Sequence, residues 1–357
     1  MKRSADTVVV GAGIIGLSVA TAIARRGASV ILAAEPRSGQ ASTAAAGMLA
    51  PSVERATGPA HDFAIAARDM YPDYLEGLAD ATGIRVPLNR LGILQVALTQ
   101  RGVAGLQKTR SPESTWLERN ELAELEPTLA HAIGAVLNPD DGAVDNVILM
   151  NALWDLVEKT PAISRVAGAA SSVSHGGVHA TVTLATGEKL EAGHVVLAPG
   201  AWGAMVEGAP ALAAVTPSRG QLVSYVSIGL RHVTYGPRGY LVPRATGTTI
   251  AGSTMENVGF VSETTTHGLA KVRSAAEEIA PALAIAKVSA EWAGLRPVTP
   301  DMLPIIGPDP DNPQIIYCCG HSRNGILLAG LSGEVVAAIV AGEPLKHDLS
   351  QFRPGRF

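Results

Sequence analysis

The sequence predicts an α/β protein in which a nucleotide-binding unit is interrupted by antiparallel strands. Near its start, a buried strand, a glycine-rich turn, a small-residue helix and a second strand follow one another over 7–35. Near its end, a short apolar strand runs into a long apolar helix over 314–342. The segments between are richer in short strands separated by turns. We therefore expect two interleaved domains: a nucleotide-binding domain from 1–84, 144–215 and 296–357, and a second domain from 85–143 and 216–295.

The turn after the first strand carries three spaced glycines, Gly11, Gly13 and Gly16. In a Rossmann-type βαβ unit, the first allows the tight turn, the second lets backbone approach a pyrophosphate, and the third lets helix and strand pack closely. The helix then begins at Ile14 and Ile15, whose N–H groups and positive dipole end favour phosphates. Because strand, helix and second strand follow in order, the pattern predicts a dinucleotide site.

Glu35 ends the second strand, nineteen residues after Gly16. A carboxylate there can accept hydrogen bonds from a ribose. Two other interpretations exist: a glycine-rich turn without a ligand, and a signal peptide, since basic residues precede the apolar run. The spaced glycines and the Arg25-Arg26 pair after the run argue against a signal peptide.

Composition restricts the class of protein. With 357 residues, 47% of them hydrophobic and 17% charged, the chain can bury a sizeable core. The net charge of −4 and the lack of a Lys/Arg block disfavour nucleic acid and anionic membrane as partners. The apolar stretch 325–342 contains Glu334 and is predicted to be a buried helix, not a membrane span.

Cys318 and Cys319 are adjacent in a short apolar strand. Neighbours on a strand point to opposite faces, so we expect no disulfide between them. Reduced cysteines predict a cytoplasmic protein. The sequence does not decide whether the chain forms a homo-oligomer.

The segment after Glu35 is a run of small residues over 38–48. It is either a helix start capped by Ser42 or Thr43, or a loop whose backbone can lie against a flat ring. Further on, the pattern predicts helices over 61–82, 120–126, 145–159 and 266–280, and strands over 90–98, 221–225, 239–244, 249–255 and 314–319. A small β-meander over 162–196 leads into a second glycine turn at Gly200.

Five short motifs resemble the glycine oxidase branch of the D-amino-acid oxidase family of FAD-dependent oxidoreductases. They span nearly the whole chain in the family's order: GAGIIG at 11–16, AAAGM at 44–48, YLVPR at 240–244, WAGLRP at 292–297 and GHSRNGILL at 320–328. The resemblance implies non-covalent FAD, a nucleotide domain of the glutathione-reductase type and a second domain with a large antiparallel sheet over the flavin. It implies no metal.

Carried over by position, two segments would contact the flavin. One comprises Ala46, Gly47 and Met48, and the other wraps it from the opposite end with His321, Arg323, Asn324, Gly325, Ile326 and Leu327. The final helix would aim its N-terminus at the flavin, where a positive dipole end stabilises the reduced anion.

The resemblance also implies the substrate site. Arg296 matches the family's carboxylate-binding arginine and Tyr240 its hydroxyl partner, and we expect these two to be the catalytic residues. A guanidinium fork holds a carboxylate by two charge-assisted hydrogen bonds and so orients Cα. Further candidate substrate-binding residues are Arg323, which could instead bind flavin, and Tyr235, Met255 and Met48.

Arg238 stands two residues before Tyr240. If both lay in one strand, they would share a face, and Arg238 would reach the pocket. A second cation would suit a glycine whose nitrogen carries a group with a second carboxylate. The alternative is a solvated turn arginine.

The function that the resemblance implies is oxidation of glycine or an N-substituted glycine. Hydride leaves Cα for the flavin, the imine hydrolyses to glyoxylate plus amine, and O₂ becomes H₂O₂. There are three alternatives. The first is a D-amino-acid or sarcosine-type enzyme on the same scaffold, which as a dehydrogenase would pass electrons to a quinone. The others are an NAD-dependent dehydrogenase and a non-catalytic flavin-binding subunit.

Overall fold

The structure, a computed structural model, describes residues 3–54 and 56–357. Its helices are α1 (Ile14–Arg25), α2 (Ala41–Ala44), α3 (Pro51–Glu54), α4 (Pro59–Asp69), α5 (Tyr71–Thr82), α6 (Gln100–Thr109), α7 (Arg119–Leu125), α8 (Asn146–Lys159), α9 (Thr266–Ile279) and α10 (Gly325–Ala341). Short 3₁₀ helices occupy Pro127–Leu129, Gly200–Met205, Pro210–Ala214, Pro281–Ile285 and Ser350–Phe352.

The strands, in chain order, are β1 (Arg3–Val10), β2 (Val30–Ala34), β3 (Met48–Leu49), β4 (Leu88–Asn89), β5 (Ile93–Ala97), β6 (Thr115–Glu118), β7 (Gly134–Asn138), β8 (Gly142–Val144), β9 (Ile163–Ala167), β10 (Ala170–Gly176), β11 (His179–Leu184), β12 (Lys189–Leu197), β13 (Thr216–Val226), β14 (Val233–Tyr235), β15 (Tyr240–Pro243), β16 (Thr248–Gly252), β17 (Val288–Val298), β18 (Ile305–Pro308) and β19 (Ile315–Cys319).

The first large sheet has a parallel centre. Its order is β10-β11-β12-β1-β2-β9, with β19 beside β12 and β18 beside β19. β1 runs parallel to both β2 and β12. Both faces of β1 are covered, since Val9 packs in the cluster with α1 and α10 whereas Val8 and Val10 pack in a second cluster. A strand buried on both faces requires the continuous apolar run seen in the sequence.

The second large sheet has the order β17-β13-β16-β15-β14-β5-β7-β6. Its pairs are antiparallel except for β5 and β14. A small third sheet joins β3, β8 and β4. The predicted fold class, with a large antiparallel sheet beside a nucleotide-binding one, is therefore confirmed, while the exact domain boundaries stay a prediction.

Local elements differ from the sequence prediction in several places. The helix expected over 61–82 is two helices that meet at Met70, because Pro72 at the start of α5 cannot donate a backbone hydrogen bond. The helix α6 was not predicted; it buries no side chain and contains two glycines, which are poor helix formers. β16 ends at Gly252 instead of continuing to 255.

Helix α10 is the long apolar helix expected near the end of the sequence, and it ends at Gly342 in the left-handed conformation. Its residues pack against α1 and the parallel sheet within the main core cluster. Among the residues that the structure describes, no helix combines the length and apolarity that crossing a bilayer requires.

Candidate active site

A continuous cavity of about 780 Å³ lies between the two large sheets. The carboxyl ends of β1, β2 and β19 and the turn after β12 form one wall, and β13, β15 and β17 form the other. The carboxyl ends of parallel strands are the usual ligand edge of such sheets. The position of each candidate residue is therefore described relative to this cavity.

The three glycines of the first turn have different surroundings. Gly11 has φ +99°, and a Cβ on it would lie 2.2 Å from the Ala198 carbonyl oxygen. A Cβ on Gly16 would lie 1.8 Å from the Gly11 carbonyl oxygen. Gly11 and Gly13 line the cavity, whereas Gly16 lies behind them. Gly16 thus permits close packing of the helix and does not border the ligand.

The first turn of α1 presents Ile14 and Ile15 to the cavity. The Ile14 N–H donates a hydrogen bond to the Ser42 hydroxyl at 2.9 Å. Ser42 therefore lies at the positive end of the α1 dipole, where a phosphate is favoured. Thr43 is exposed and outside the cavity wall, with its hydroxyl donating to Gln40 O at 3.3 Å, so the structure does not place it at the predicted cofactor site.

The far end of the cavity, beyond β2, is polar and aromatic. Glu35 lines it and pairs with Arg37 at 3.2 Å. The Arg37 guanidinium lies 5.4 Å from the centre of the Trp202 ring. Gly200, with φ +61°, forms the turn before that ring and also lines the cavity. A carboxylate beside an aromatic wall suits the adenosine half of a dinucleotide.

The small-residue loop 44–48 lines the middle of the cavity. Gly47 has φ +74°, and a Cβ there would lie 2.1 Å from the Val144 carbonyl oxygen, so a side chain cannot be accommodated. Ala46 and Met48 flank it in the same wall. The loop thus offers backbone and little side-chain bulk to a ligand, as the sequence predicts.

Two side chains to which the sequence analysis assigned no role hold this loop in place. Arg244 donates to the Ala46 carbonyl oxygen at 3.0 Å and to Asn146 Oδ1 at 2.6 Å. Trp292 Nε1 donates to the Ala44 carbonyl oxygen at 2.9 Å. Arg244 and Trp292 belong to the recognised motifs, but their partners are distant in the sequence, so only the fold shows what they do.

His321 lies in the cavity wall and is 2% exposed. Its Nε2 lies 3.0 Å from the Ser332 hydroxyl, while its Nδ1 has no hydrogen-bond partner in the described chain. Burial lowers the pKa of His321 to about 3, so the ring is neutral near pH 7. An unpaired buried nitrogen beside a cavity can be satisfied by a bound ligand.

The start of α10 also faces the cavity. Arg323, Asn324, Gly325 and Ile326 line it, whereas Leu327 is buried outside the lining. No side chain caps the helix, so its first N–H groups and positive dipole end are free for an electronegative group. With the glycine turn, the loop 44–48 and the unpaired His321 nitrogen, these features fit the FAD that the motifs imply.

Arg296 is held flat against strand β13. Its Nη1 donates to the Thr254 carbonyl oxygen at 3.1 Å and its Nη2 to the Ser253 hydroxyl at 2.5 Å. A Cβ on Gly220 would lie 2.1 Å from Nη1, so the guanidinium occupies the space that this glycine leaves. Within residues 3–54 and 56–357, no carboxylate pairs with Arg296. Such a guanidinium in a cavity wall suits a ligand carboxylate.

Tyr240 starts strand β15, is 8% exposed and lines the cavity. Tyr235 does not reach the cavity wall, because its ring lies behind Tyr240 with 5.6 Å between the ring centres. The Tyr235 hydroxyl donates to Glu54 Oε1 at 3.2 Å. Tyr235 was predicted to contact the substrate. In the structure its hydroxyl contacts Glu54 instead and supports that side chain.

Glu54 is a cavity residue that the sequence analysis missed. It ends the four-residue helix α3, and its Oε1 accepts a hydrogen bond from Arg323 Nη2 at 2.8 Å. Arg323, for which substrate and flavin contacts were both predicted, therefore carries an acidic partner. No local pattern marked Glu54, because its importance depends on a residue 269 positions away.

Two predicted substrate residues lie away from the cavity. Arg238 belongs to the turn between β14 and β15, not to a strand, and its exposed side chain pairs with Glu278 on α9 at 2.7 Å. The prediction that Arg238 shares a strand face with Tyr240 is therefore wrong. Arg238 is instead the solvated turn arginine that was the alternative. Met255 is 55% exposed and absent from the lining, because β16 ends before it.

Cys318 and Cys319 are free and buried, as predicted. They end β19 and border the cavity. Burial raises the pKa of the Cys319 thiol to about 12, and burial also raises the pKa of the Cys318 thiol. Neither thiol is therefore ionised near pH 7, and both behave as small packing residues.

Comparison with known proteins identifies relatives along the whole chain. Residues 6–339 match the family described as FAD dependent oxidoreductase. The chain is 32% identical over 363 residues to the glycine oxidase of Bacillus licheniformis, covering 98% of this chain and 96% of that protein. It superposes on the crystal structure of glycine oxidase from Geobacillus kaustophilus with a TM-score of 0.91 at 27% identity, covering 100% of each chain.

A second kind of relative is longer. The bifunctional protein ThiO/ThiG of Synechocystis sp. is 31% identical over 369 residues, which cover 100% of this chain but 55% of that protein. The chain therefore spans about half the length of this bifunctional relative.

Proposed function

The chain belongs to the family of FAD-dependent oxidoreductases, and from that premise we propose that it oxidises the Cα–N bond of glycine or of an N-substituted glycine. The observation that carries the proposal is Arg296, a guanidinium without a carboxylate partner in the described residues, placed in one cavity with Tyr240 and the loop 44–48. Its similarity to glycine oxidases supports the same substrate class.

Arg296 would bind the substrate carboxylate through two parallel hydrogen bonds, since its guanidinium is held by Ser253 and Thr254 in a fixed orientation. Tyr240 would add its hydroxyl to the same group. This anchoring leaves Cα and the amine directed toward the part of the cavity between the loop 44–48 and α10. Positioning of this kind would lower the entropic part of the barrier to hydride transfer.

The glycine turn, the loop 44–48 and the start of α10 would hold FAD, whose chemistry would be to accept the hydride from Cα, with O₂ as the final electron acceptor. Substrate that binds with a neutral amine needs no side-chain base. His321 is a poor proton acceptor, because burial lowers its pKa to about 3. The imine then hydrolyses to glyoxylate and ammonia or an amine.

A screen of candidate amines under anaerobic conditions tests the proposal. Glycine and N-alkylglycines should bleach the flavin absorbance, and readmitted air should restore it with one H₂O₂ per substrate oxidised. D-Amino acids with bulky side chains should react more slowly. Bleaching by D-alanine or D-proline but by no glycine derivative would contradict the substrate class, and bleaching without peroxide formation would contradict O₂ as acceptor.

The free, buried cysteines agree with a reducing compartment. We accordingly propose that the enzyme is cytoplasmic.

A further inference from the structure

The cavity wall beside Tyr240 contains an ion pair that the mechanism above does not use. Arg323 Nη2 lies 2.8 Å from Glu54 Oε1, and the Tyr235 hydroxyl donates to the same oxygen at 3.2 Å. The Arg323 side chain is 44% exposed and that of Glu54 15% exposed. Both residues line the cavity, so their charged groups are accessible to a ligand.

Glu54, the acidic partner of this pair, is anchored to the protein interior through its helix. The helix α3, which carries Glu54, is fixed through Ser52, whose N–H and hydroxyl donate to Asp141 at 3.1 and 3.0 Å. Asp141 is fully buried and also accepts from Arg68 at 3.0 Å. Arg323 lies in the tight turn that opens α10. Charges held in this way are preorganised for a ligand.

The pair differs from the other charges of the cavity. Arg296 is a single cation without an acidic partner in the described chain, which suits one carboxylate. Glu35, Arg37 and Arg165 lie on or just after β2 and β9, at the nucleotide end. Beside Tyr240, a ligand anchored at Arg296 therefore meets one cation and one anion side by side.

We propose that Glu54 and Arg323 form a subsite for the N-substituent of the substrate, and that this substituent ends in an ammonium beside a carboxylate, as at Cα of an amino acid. The inference rests on the proposed function and specifies its substrate. A carboxylate would take the place of Glu54 on Arg323, and the ammonium would pair with Glu54. Both charges keep a partner, whereas a substituent with a carboxylate alone would leave Glu54 unpaired.

The reaction balances for such a substrate. The compound R–NH–CH₂–COO⁻ loses two electrons and two protons from its N–CH₂ unit to O₂, which becomes H₂O₂. Water adds to the resulting C=N bond, and the C–N bond breaks. The products are glyoxylate and R–NH₂, a free amino acid that carries its second amine on the side chain.

The test compares N-substituted glycines of matched length. One set ends in an amino-acid group: the side-chain N-carboxymethyl derivatives of lysine, ornithine and 2,4-diaminobutyrate. A second set replaces that group by an alkyl end, and a third by a carboxylate alone. In the wild-type enzyme, kcat/KM for at least one zwitterionic compound should exceed that of both matched compounds by about ten- to hundredfold, as expected for charge-assisted hydrogen bonds.

Glu54→Gln and Arg323→Gln should each remove most of this preference, measured as the ratio of kcat/KM values within one variant at equal flavin content. Arg238→Gln and Glu278→Gln are matched controls, since they disrupt an exposed Arg–Glu pair of 2.7 Å outside the cavity. The controls should retain the preference.

Two results would overturn the inference while leaving the proposed function intact. One is a wild-type enzyme that oxidises N-alkylglycines but prefers no zwitterionic compound of any length. The other is a preference that persists in both Glu54→Gln and Arg323→Gln. If no glycine derivative reduces the flavin, the proposed function itself fails and the inference fails with it.

Discussion

Gly220 provides a test of the carboxylate site that alters no charged residue. It lies in β13 directly against the Arg296 guanidinium, and a Cβ there would lie 2.1 Å from Nη1 and 2.5 Å from Cζ. Its backbone is not in the left-handed region, so alanine is compatible with the strand. Gly220→Ala should therefore displace only the guanidinium.

The size of the displacement follows from these distances. Ordinary contact begins at 3.4 Å, so Nη1 must move by at least the difference from 2.1 Å, which is 1.3 Å. The atoms that move are the end of a flexible side chain, so we expect the free energy of unfolding to change by less than about 2 kcal/mol. Misplacing a positioning group by about 1 Å can cost about 10²-fold in rate, and we expect kcat/KM for glycine to fall by about 10–100-fold.

Steady-state peroxide formation with glycine, together with flavin content and thermal unfolding, measures each quantity. Gly77→Ala is the matched control, because Gly77 lies in α5 with nothing within 4 Å of an added Cβ. A Gly220→Ala enzyme with wild-type kcat/KM at normal flavin content would refute the placement of the substrate carboxylate at Arg296. Loss of flavin or folding in Gly220→Ala alone would refute the argument that only the guanidinium moves.

Three further predictions concern the same cavity. Arg296→Lys keeps the charge but loses the planar fork. The activation free energy that corresponds to kcat/KM for glycine should rise by about 2–5 kcal/mol at unchanged flavin content. A fall in kcat/KM of less than about twofold would show that Arg296 does not belong to the site. Acid precipitation should leave intact FAD in the supernatant, and flavin that stays with the protein would show a covalent link. His321 binds a proton near pH 6.5 when unfolded but only near pH 3 when folded, so stability should fall as the pH drops below 6.5. His321→Asn should lessen that fall by about 2 kcal/mol between pH 7 and pH 5 in urea unfolding, and an unchanged pH dependence would contradict the burial argument.

Much of the fold could be predicted because the relevant signals are local. The strand before Gly11 reads as a continuous apolar run since both of its faces are buried, and Gly11 and Gly16 have no room for a side chain. The helix after Asp145 begins where predicted, because that side chain accepts hydrogen bonds from the N–H groups of Val147 and Ile148. The surface helix α6 was missed because its two glycines, Gly102 and Gly105, are residues that disfavour a helix.

The candidate site was only partly predictable. Arg296 and Tyr240 were found because they stand in recognised motifs, and both line the cavity. Arg238 was misplaced because the alternation of strand faces was extended to it, whereas β15 begins at Tyr240 and Arg238 lies in the turn before that strand. Glu54 could not be found, since nothing near it in the sequence indicates Arg323 as its partner.

The sequence by itself determined the nucleotide-binding turn and the buried helix α10, which depend on spacing and burial pattern along the chain. Arg296 was proposed for the substrate carboxylate because its motif resembles that of a known family. Only the tertiary structure decided which charges face the cavity, which glycine makes room for Arg296, and how Arg244 holds the loop 44–48. The physical reason is that these contacts join residues about 40 to 270 positions apart, and their geometry follows from how the two sheets pack against each other.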